Sequence, residues 1–381
     1  MNQFSYYNPT RVEFGKSKEN QIGKLIAEQG VDKVLLLYGT GSIKKSGLYD
    51  RVVKSLNEAG VAFEELGGVV SNPKLSHVKQ GIEIAKSKGV KAILGVGGGS
   101  VADSAKAIAV GALYDGDVWD FFVGKASIKA ALPVYTVMTL AATASEMNGT
   151  SVVTNDDTKQ KYSIASVPIN PKISVINPEL MSSVSADYLA YSATDIIAHV
   201  IETYFTATTH PHFQSRLVES IIKTVIETTE ILLKNPNDYD ARAEFAWAAT
   251  QALNGLTTSG TGGGSFPNHM IEHSLSALYN VAHGAGLSIV MPAWMKWYKD
   301  KNKAQFERFA REIFGLSSAE EGISALENWF KSIKSPIRLE EANIPKSDIP
   351  KIAENAHGLA SLWGMGGFYT QSVIEQILQN A

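Results

Sequence analysis

Asp195 and His199 stand four residues apart in a stretch that reads as helix, and His269, His273 and His283 follow in the same half of a chain with only eight histidines. Residues four apart on a helix share a face, with Cβ atoms about 5–6 Å apart. A carboxylate and an imidazole placed this way can grip one divalent cation. His269-Met-Ile-Glu-His273 repeats the spacing on a second helix, and His283 falls at a turn before Gly284. Polar side chains among apolar helical neighbours are costly unless they are paired or bound. The group therefore predicts a mononuclear nitrogen–oxygen site for zinc or ferrous iron. The chain has no cysteine, so the site has no thiolate ligand and the fold has no disulfide framework. Spacing alone leaves all five residues as candidates. His210 and His212, in Thr-His-Pro-His, read as solvated histidines in a loop between helices.

The elements that must position these residues change character along the chain. Val34–Tyr38, Val61–Leu66, Lys91–Val96 and Pro133–Met138 are strand-like runs. Helical stretches follow: one from Gly39-Thr-Gly-Ser through Leu56, one over His77–Lys88, and one from Gly97 through Val110. Alternation of this kind predicts a doubly wound, mainly parallel sheet. Val152–Thr154 and Tyr162–Ala165 flank Asn155-Asp156-Asp157 as a hairpin, and Ile173–Ile176 gives a last short strand. Long helical periodicities then take over: Asp187–Phe205, Phe213–Leu233, Asp238–Leu253, Met270–Leu278 and more to Leu378. The expected fold is an α/β, Rossmann-like N-terminal domain over 1–181 and an all-α C-terminal domain over 182–381. Ser259-Gly-Thr-Gly-Gly-Gly-Ser265 reads as a flexible loop feeding the His269 helix.

Gly97-Gly98-Gly99-Ser100 follows a strand and opens a helix. Glycines there let backbone N–H groups approach a phosphate, and a helix N-terminus favours negative charge. The run departs from the G-x-G-x-x-G pattern, of which Gly95, Gly97 and Ser100 supply only part. Gly39-Thr40-Gly41-Ser42 has the same placement after the first strand-like run. Two such turns at strand carboxyl ends point to a dinucleotide lying across the sheet edge. A Walker-type G-x-x-x-x-G-K-[ST] is absent, which disfavours nucleotide hydrolysis.

Charge and composition exclude other classes. Net charge is −3 over 381 residues, with no basic block, so a nucleic-acid partner is not expected. No apolar run reaches the roughly 20 residues that span a bilayer. The start, Met1-Asn-Gln-Phe-Ser-Tyr-Tyr, lacks the basic and apolar regions of a signal peptide, so a soluble cytoplasmic protein is expected.

Taken in order, Gly97-Gly-Gly-Ser-Val-Ala-Asp103-Ser-Ala-Lys106, Thr139-Leu-Ala-Ala-Thr143-Ala-Ser145-Glu146, Asp195-xxx-His199 and His269-xxx-His273-x9-His283-Gly284 resemble the iron-containing, or group III, alcohol dehydrogenases over nearly the whole chain. Tyr38-Gly-Thr-Gly-Ser-Ile-Lys-Lys-Ser-Gly47 is similar to the butanol dehydrogenase and broad aldehyde reductase branch. The resemblance implies a dehydroquinate synthase-like architecture, with a dinucleotide domain, a helical metal domain and a cleft between them. It maps the metal ligands onto Asp195, His199, His269 and His283, and maps His273 onto a cleft histidine that does not bind the metal. It places the pyrophosphate loop on Gly97, Gly98, Gly99 and Ser100, with Asp103 nearby. Thr139, Thr143 and Ser145 fall on the nicotinamide-side loop, and Lys161 near the cofactor phosphates. Leu140-Ala141-Ala142 replaces a glycine common in that loop. A homodimer is also implied.

The implied activity is hydride transfer between NADP(H) and a small aldehyde or primary alcohol, with one Fe2+ or Zn2+ per chain. The generic Rossmann acid, about 20 residues beyond the first glycine turn, would be Glu64 or Glu65 and would suggest NAD. In NAD-using relatives, however, the turn after the first strand carries an aspartate that aligns with Thr40. Gly39, Thr40, Gly41 and Ser42 offer no carboxylate to repel a 2′-phosphate, and Lys44 or Lys45 adds charge at the rim. A polyol dehydrogenase is the nearest alternative. A non-redox cyclase like dehydroquinate synthase would need basic residues for a phosphorylated acid, and few lie near the metal motifs. A binding protein without catalysis fits least, because the motifs for both ligands are intact. Trp247, Phe266, Trp294 and Trp363 are candidates for pocket lining or core.

Overall fold

The computed structural model describes all 381 residues, Met1–Ala381. Contacts divide the chain into two units: Tyr7–Ser183, and Val184–Ala381 together with Met1–Tyr6. The first six residues, which a boundary at 181/182 counts with the α/β half, pack on the helical unit. The Asn2 N–H donates to the Gly260 carbonyl at 2.9 Å.

In the first unit eight strands form: β1 (Arg11–Phe14), β2 (Lys33–Gly39), β3 (Ala62–Val69), β4 (Ala92–Gly97), β5 (Val134–Met138), β6 (Thr150–Asn155), β7 (Gln160–Ala165) and β8 (Ile173–Ile176). Six make one parallel sheet in the order β1-β8-β5-β4-β2-β3, and β6 and β7 pair as an antiparallel hairpin. Val34, Leu35, Leu36 and Leu37 of β2 are all buried, as are Ile93, Leu94 and Val96 of β4. Continuous apolar runs mark strands covered on both faces, and each such side chain contributes about 1.5–3 kcal/mol on burial. Chain order reverses between β2 and β4, which makes their carboxyl ends the topological switch point. Tyr38 pairs with Val96 and Gly97 with Met138, so the chain leaves β2, β4 and β5 side by side at one sheet edge.

Sequence periodicity missed β1, a four-residue edge strand with only one side chain turned fully outward. It also ran a single helix to Leu56, where the chain forms two, Ser42–Lys45 and Leu48–Glu58. Gly47 divides them at φ +71°, a left-handed conformation that no helix continues through.

The second unit is helical apart from its loops, and no helix in the structure is long and apolar enough to cross a membrane. The Gly260–Gly264 loop is held rather than loose. Thr208 donates both its N–H and its hydroxyl to the Gly262 carbonyl, at 3.0 and 2.6 Å, and the Thr209 N–H reaches the Thr261 carbonyl at 2.9 Å.

Candidate metal centre and phosphate-binding edge

Three helices of the second unit present the metal-type side chains. The helix Ala186–Thr206, here α2, follows α1 (Gly99–Gly111) of the first unit in our numbering; α3 is Pro267–Tyr279 and α4 is His283–Tyr298. The Ser185 hydroxyl caps α2 by accepting the Tyr188 N–H at 3.3 Å. Helix α2 is buried along most of its length, so polar residues on it need partners. Asp195, His199 and Glu202 lie at i, i+4 and i+7, one face of the helix. Helix α3 starts with Pro267 at its first position and carries His269, Glu272 and His273. Asn280, at φ +54°, ends α3, and three residues later His283 opens α4.

The Nε2 atoms of His199, His269 and His283 stand 3.5, 3.5 and 3.6 Å from the same oxygen, Asp195 Oδ1. Asp195 Oδ1 and His269 Nε2 are buried without a hydrogen-bond partner. Donors of a four-coordinate ion with bonds of about 2.1 Å sit about 3.4 Å apart. The spacing and the donor types therefore fit one divalent cation. Burial alone would raise the Asp195 pKa, but the surrounding imidazoles outweigh it and hold the carboxyl well below its ordinary range. Burial opposes charge on His269 too, yet Glu202 and Asp195 push its pKa up to about 10. A proton thus competes with a cation for this nitrogen.

His273 is buried and falls in a second close group with Glu272 and His283. Its ring meets Trp363 edge-on at 5.7 Å, and Phe266 meets His269 likewise at 5.8 Å. Those two aromatics border the centre. Trp294 is core, fully buried with its N–H donated to the Tyr369 hydroxyl at 3.1 Å, and Trp247 is exposed. His210 is not a solvated histidine: it is half-buried, with Nε2 3.1 Å from the Asn302 amide nitrogen, whereas His212 opens a helix and is exposed. Glu202 and Glu272, which sequence reasoning passed over, are completely buried and hydrogen-bond Nδ1 of His269 and of His283. The signal was present, since Glu272 lies inside His269-Met-Ile-Glu-His273 and Glu202 extends the Asp195–His199 face.

In the first unit Gly97 ends β4, Gly98 caps α1 and Gly99 begins it. A Cβ on Gly99 would lie 2.5 Å from the Thr143 side chain, so glycine lets the Thr139–Ser145 loop close over the helix start. The Thr139 N–H donates to the Gly97 carbonyl at 2.9 Å. Thr139, Thr143 and Ser100 keep partial exposure at this edge. Asp103 and Ser145 do not: both are buried, and the Ser145 hydroxyl donates to Asp103 Oδ1 at 2.7 Å. Lys106, fully buried, donates to Ser145 Oγ, the Asn148 carbonyl and side chain, and the Thr150 carbonyl at 2.8–3.1 Å. Burial pulls the Lys106 pKa down to about 8 against the opposing charges of Asp103 and Glu146. This buried network ties α1 to the loop. The positive φ in that loop falls on Ala144, at +50°, an uncommon setting for a residue with a Cβ. Lys161, on β7, donates to Asn72 Oδ1 at 3.0 Å.

At the neighbouring turn Thr40 and Ser42 are exposed and Gly41 has φ +126°. Lys44 is already engaged: its ammonium lies over the Tyr38 and Tyr49 rings, at 4.8 and 4.5 Å, and 3.6 Å from Glu65. Glu64 pairs with Lys33 at 3.0 Å.

Known proteins match the chain throughout. Residues 9–178 match the family model described as iron-containing alcohol dehydrogenase, and residues 189–381 match the C-terminal model of the same family. A probable NADH-dependent butanol dehydrogenase 1 of Bacillus subtilis is 40% identical, covering 93% of this chain and 94% of that protein. The NADPH-dependent aldehyde reductase YqhD of Escherichia coli is 32% identical, with 95% of each chain covered. A crystal structure of NADH-dependent butanol dehydrogenase A from Thermotoga maritima superimposes with a TM-score of 0.98 at 46% identity, covering 100% of this chain and 99% of that one. The chain belongs to the iron-containing alcohol dehydrogenase family, as an alcohol–aldehyde oxidoreductase that uses a nicotinamide cofactor and a divalent metal.

Proposed function

We propose that this protein reduces small aldehydes to primary alcohols with NADP(H), using one divalent ion, Fe2+ or Zn2+, held by Asp195, His199, His269 and His283. The observation that carries the reading is the set of three imidazole Nε2 atoms at 3.5–3.6 Å from one buried carboxylate oxygen. When bound, such an ion supplies Lewis acidity toward the oxygen of the aldehyde or alcohol. The helical unit is the metal domain in this reading. His273, beside His283 and against Trp363, orients the substrate or passes a proton, since imidazole titrates near neutral pH. Phe266 and Trp363 give the substrate side apolar walls, which suits a short unphosphorylated aldehyde. A panel of small aldehydes, polyols and a phosphorylated acid, each with NADPH and NADH, tests this. Aldehydes are expected to turn over fastest. Turnover confined to polyols would favour the polyol dehydrogenase alternative, and turnover of the phosphorylated acid alone would favour the cyclase.

The unit Tyr7–Ser183 takes the dinucleotide in the same reading. Gly97, Gly98, Gly99 and Ser100 at the start of α1 receive the pyrophosphate. Thr139 and Thr143 line the nicotinamide side, and Lys161 adds charge near the phosphates. Asp103 and Ser145 contribute by fixing the loop from beneath. Preference for NADP(H) rests on the turn Gly39, Thr40, Gly41 and Ser42, which carries no carboxylate. The relatives' names divide on this point: NADH for the B. subtilis and T. maritima proteins, which are the more similar to this chain, and NADPH for that of E. coli. Thr40→Asp is expected to weaken NADPH by like-charge repulsion, lowering its kcat/KM relative to NADH by about 1–3 kcal/mol, or roughly 5- to 150-fold. A wild-type ratio favouring NADH, or one unmoved by the substitution, overturns the cofactor assignment. A homodimer belongs to the same reading by resemblance, and sedimentation showing only monomer at micromolar concentration would contradict it.

A further inference from the structure

We infer that Glu202 and Glu272 are positioning residues that lock His269 and His283 with the proton on Nδ1, so that both rings present Nε2 toward Asp195 and hold the ion more tightly. The inference rests on the metal reading above. A neutral imidazole carries its proton on one nitrogen only, and the group accepting that proton decides which nitrogen is left to bind a metal. Each of these rings has Nδ1 against a completely buried carboxylate and Nε2 near Asp195 Oδ1. A carboxylate that accepts the Nδ1 proton also makes Nε2 more basic.

Several features make these carboxylates a built arrangement rather than an incidental contact. Each of their oxygens has a partner, which a buried charge requires. Glu202 Oε1 accepts the Asn268 and His269 N–H groups at 2.5 and 3.2 Å, closing the N-terminus of α3. Its Oε2 takes His269 Nδ1. Glu272 Oε1 accepts the Ser276 hydroxyl, and Oε2 takes His283 Nδ1. The chain also leaves room for Glu272: a Cβ on Gly286 would stand 2.7 Å from both Glu272 Cγ and Oε1. Glu202 thus serves both a helix end and a ring, while Glu272 serves chiefly a ring. Substitution at 272 therefore separates orientation from helix capping.

The test measures zinc affinity by chelator competition, beside thermal unfolding of the metal-free proteins. Wild type is expected to bind one zinc per chain. Glu272→Gln, which keeps an acceptor but loses the charge, is expected to bind about 10-fold more weakly, and Glu272→Leu, which loses both, up to about 100-fold. Nitrogen-15 correlation spectra of the zinc-loaded proteins give a readout that general loosening would not move. Glu272→Gln should alter the His283 ring signals and leave those of His269 in place, and Glu202→Gln should do the reverse. If Glu272→Leu does not fold, Glu272→Gln carries the affinity test alone. Zinc affinity in Glu272→Gln within twofold of wild type, or equal disturbance of both rings by either substitution, overturns the inference. Wild type that binds no zinc would instead overturn the metal reading itself.

Discussion

His269→Ala is expected to lose its metal on dialysis and to turn over at less than about one hundredth of the wild-type rate, since even residues that only support a ligand are worth 10–100-fold. The loss is large because His269 is tied in from both sides. Its Nε2 faces Asp195 Oδ1 at 3.5 Å, and its Nδ1 meets Glu202. Truncation removes a donor and leaves the completely buried Glu202 without its ring partner. His273→Ala is the control in the same protein. It is expected to keep its metal and to change turnover or the pH profile instead. Metal content read by mass spectrometry, beside initial rates, decides both. Full metal and full activity in His269→Ala would remove that residue from the ligand set. Metal loss in His273→Ala as deep as in His269→Ala would put His273 into it.

Gly284→Ala should be almost as damaging, although it deletes nothing. A Cβ at 284 would lie 2.0 Å from the Tyr191 carbonyl oxygen and 2.7 Å from the Tyr191 Cα. These are backbone atoms of α2, so no side-chain rotation relieves the overlap, and α4 must move away from α2. Overpacking of this kind costs about 1–3 kcal/mol or more, which is roughly 3–10 °C in the melting temperature of a unit this size. The shift falls on the residue after His283, so that Nε2 leaves its place 3.6 Å from Asp195 Oδ1. Zinc affinity should fall at least about tenfold with the melting temperature, by comparison with the loss of supporting contacts. Wild-type melting and wild-type affinity together would show that the close approach of α2 and α4 does not govern the site.

Strand–helix alternation before residue 180 and long helical periods after it follow from burial, so the architecture could be read directly. The i, i+4 spacings of Asp195–His199 and His269–His273 were equally plain, because helical geometry alone puts such pairs on one face. Two things lay beyond local pattern. The first is which histidines converge on one oxygen, since α2, α3 and α4 meet only through tertiary packing. Spacing kept His273 level with the others, and only the resemblance set it apart. The second is the support around the ligands. Glu202 and Glu272 look like ordinary helical glutamates, and nothing in periodicity marks a carboxylate as completely buried. Asp103 and Ser145 show the opposite case. Their place in the motif suggested contact with the cofactor, whereas the fold buries both: Ser145 accepts from Lys106 and donates to Asp103, which also takes the Val152 N–H. The four-residue β1 carried too little alternation to be seen, whereas the break between the two helices does have a local signal, the turn-type pair Ser46-Gly47.

If aldehyde reduction works through one ion at Asp195, His199, His269 and His283, activity should leave with the metal when the purified protein is stripped and return when one equivalent of Fe2+ or Zn2+ is restored. NADPH oxidation with a small aldehyde is then followed against bound metal. Negligible turnover is expected in the stripped protein, with activity rising in proportion to occupancy and saturating at one ion per chain. Undiminished turnover without metal would show that the ion has no part in the reaction, and saturation with metal but no turnover of any aldehyde would show that the protein is not an aldehyde reductase.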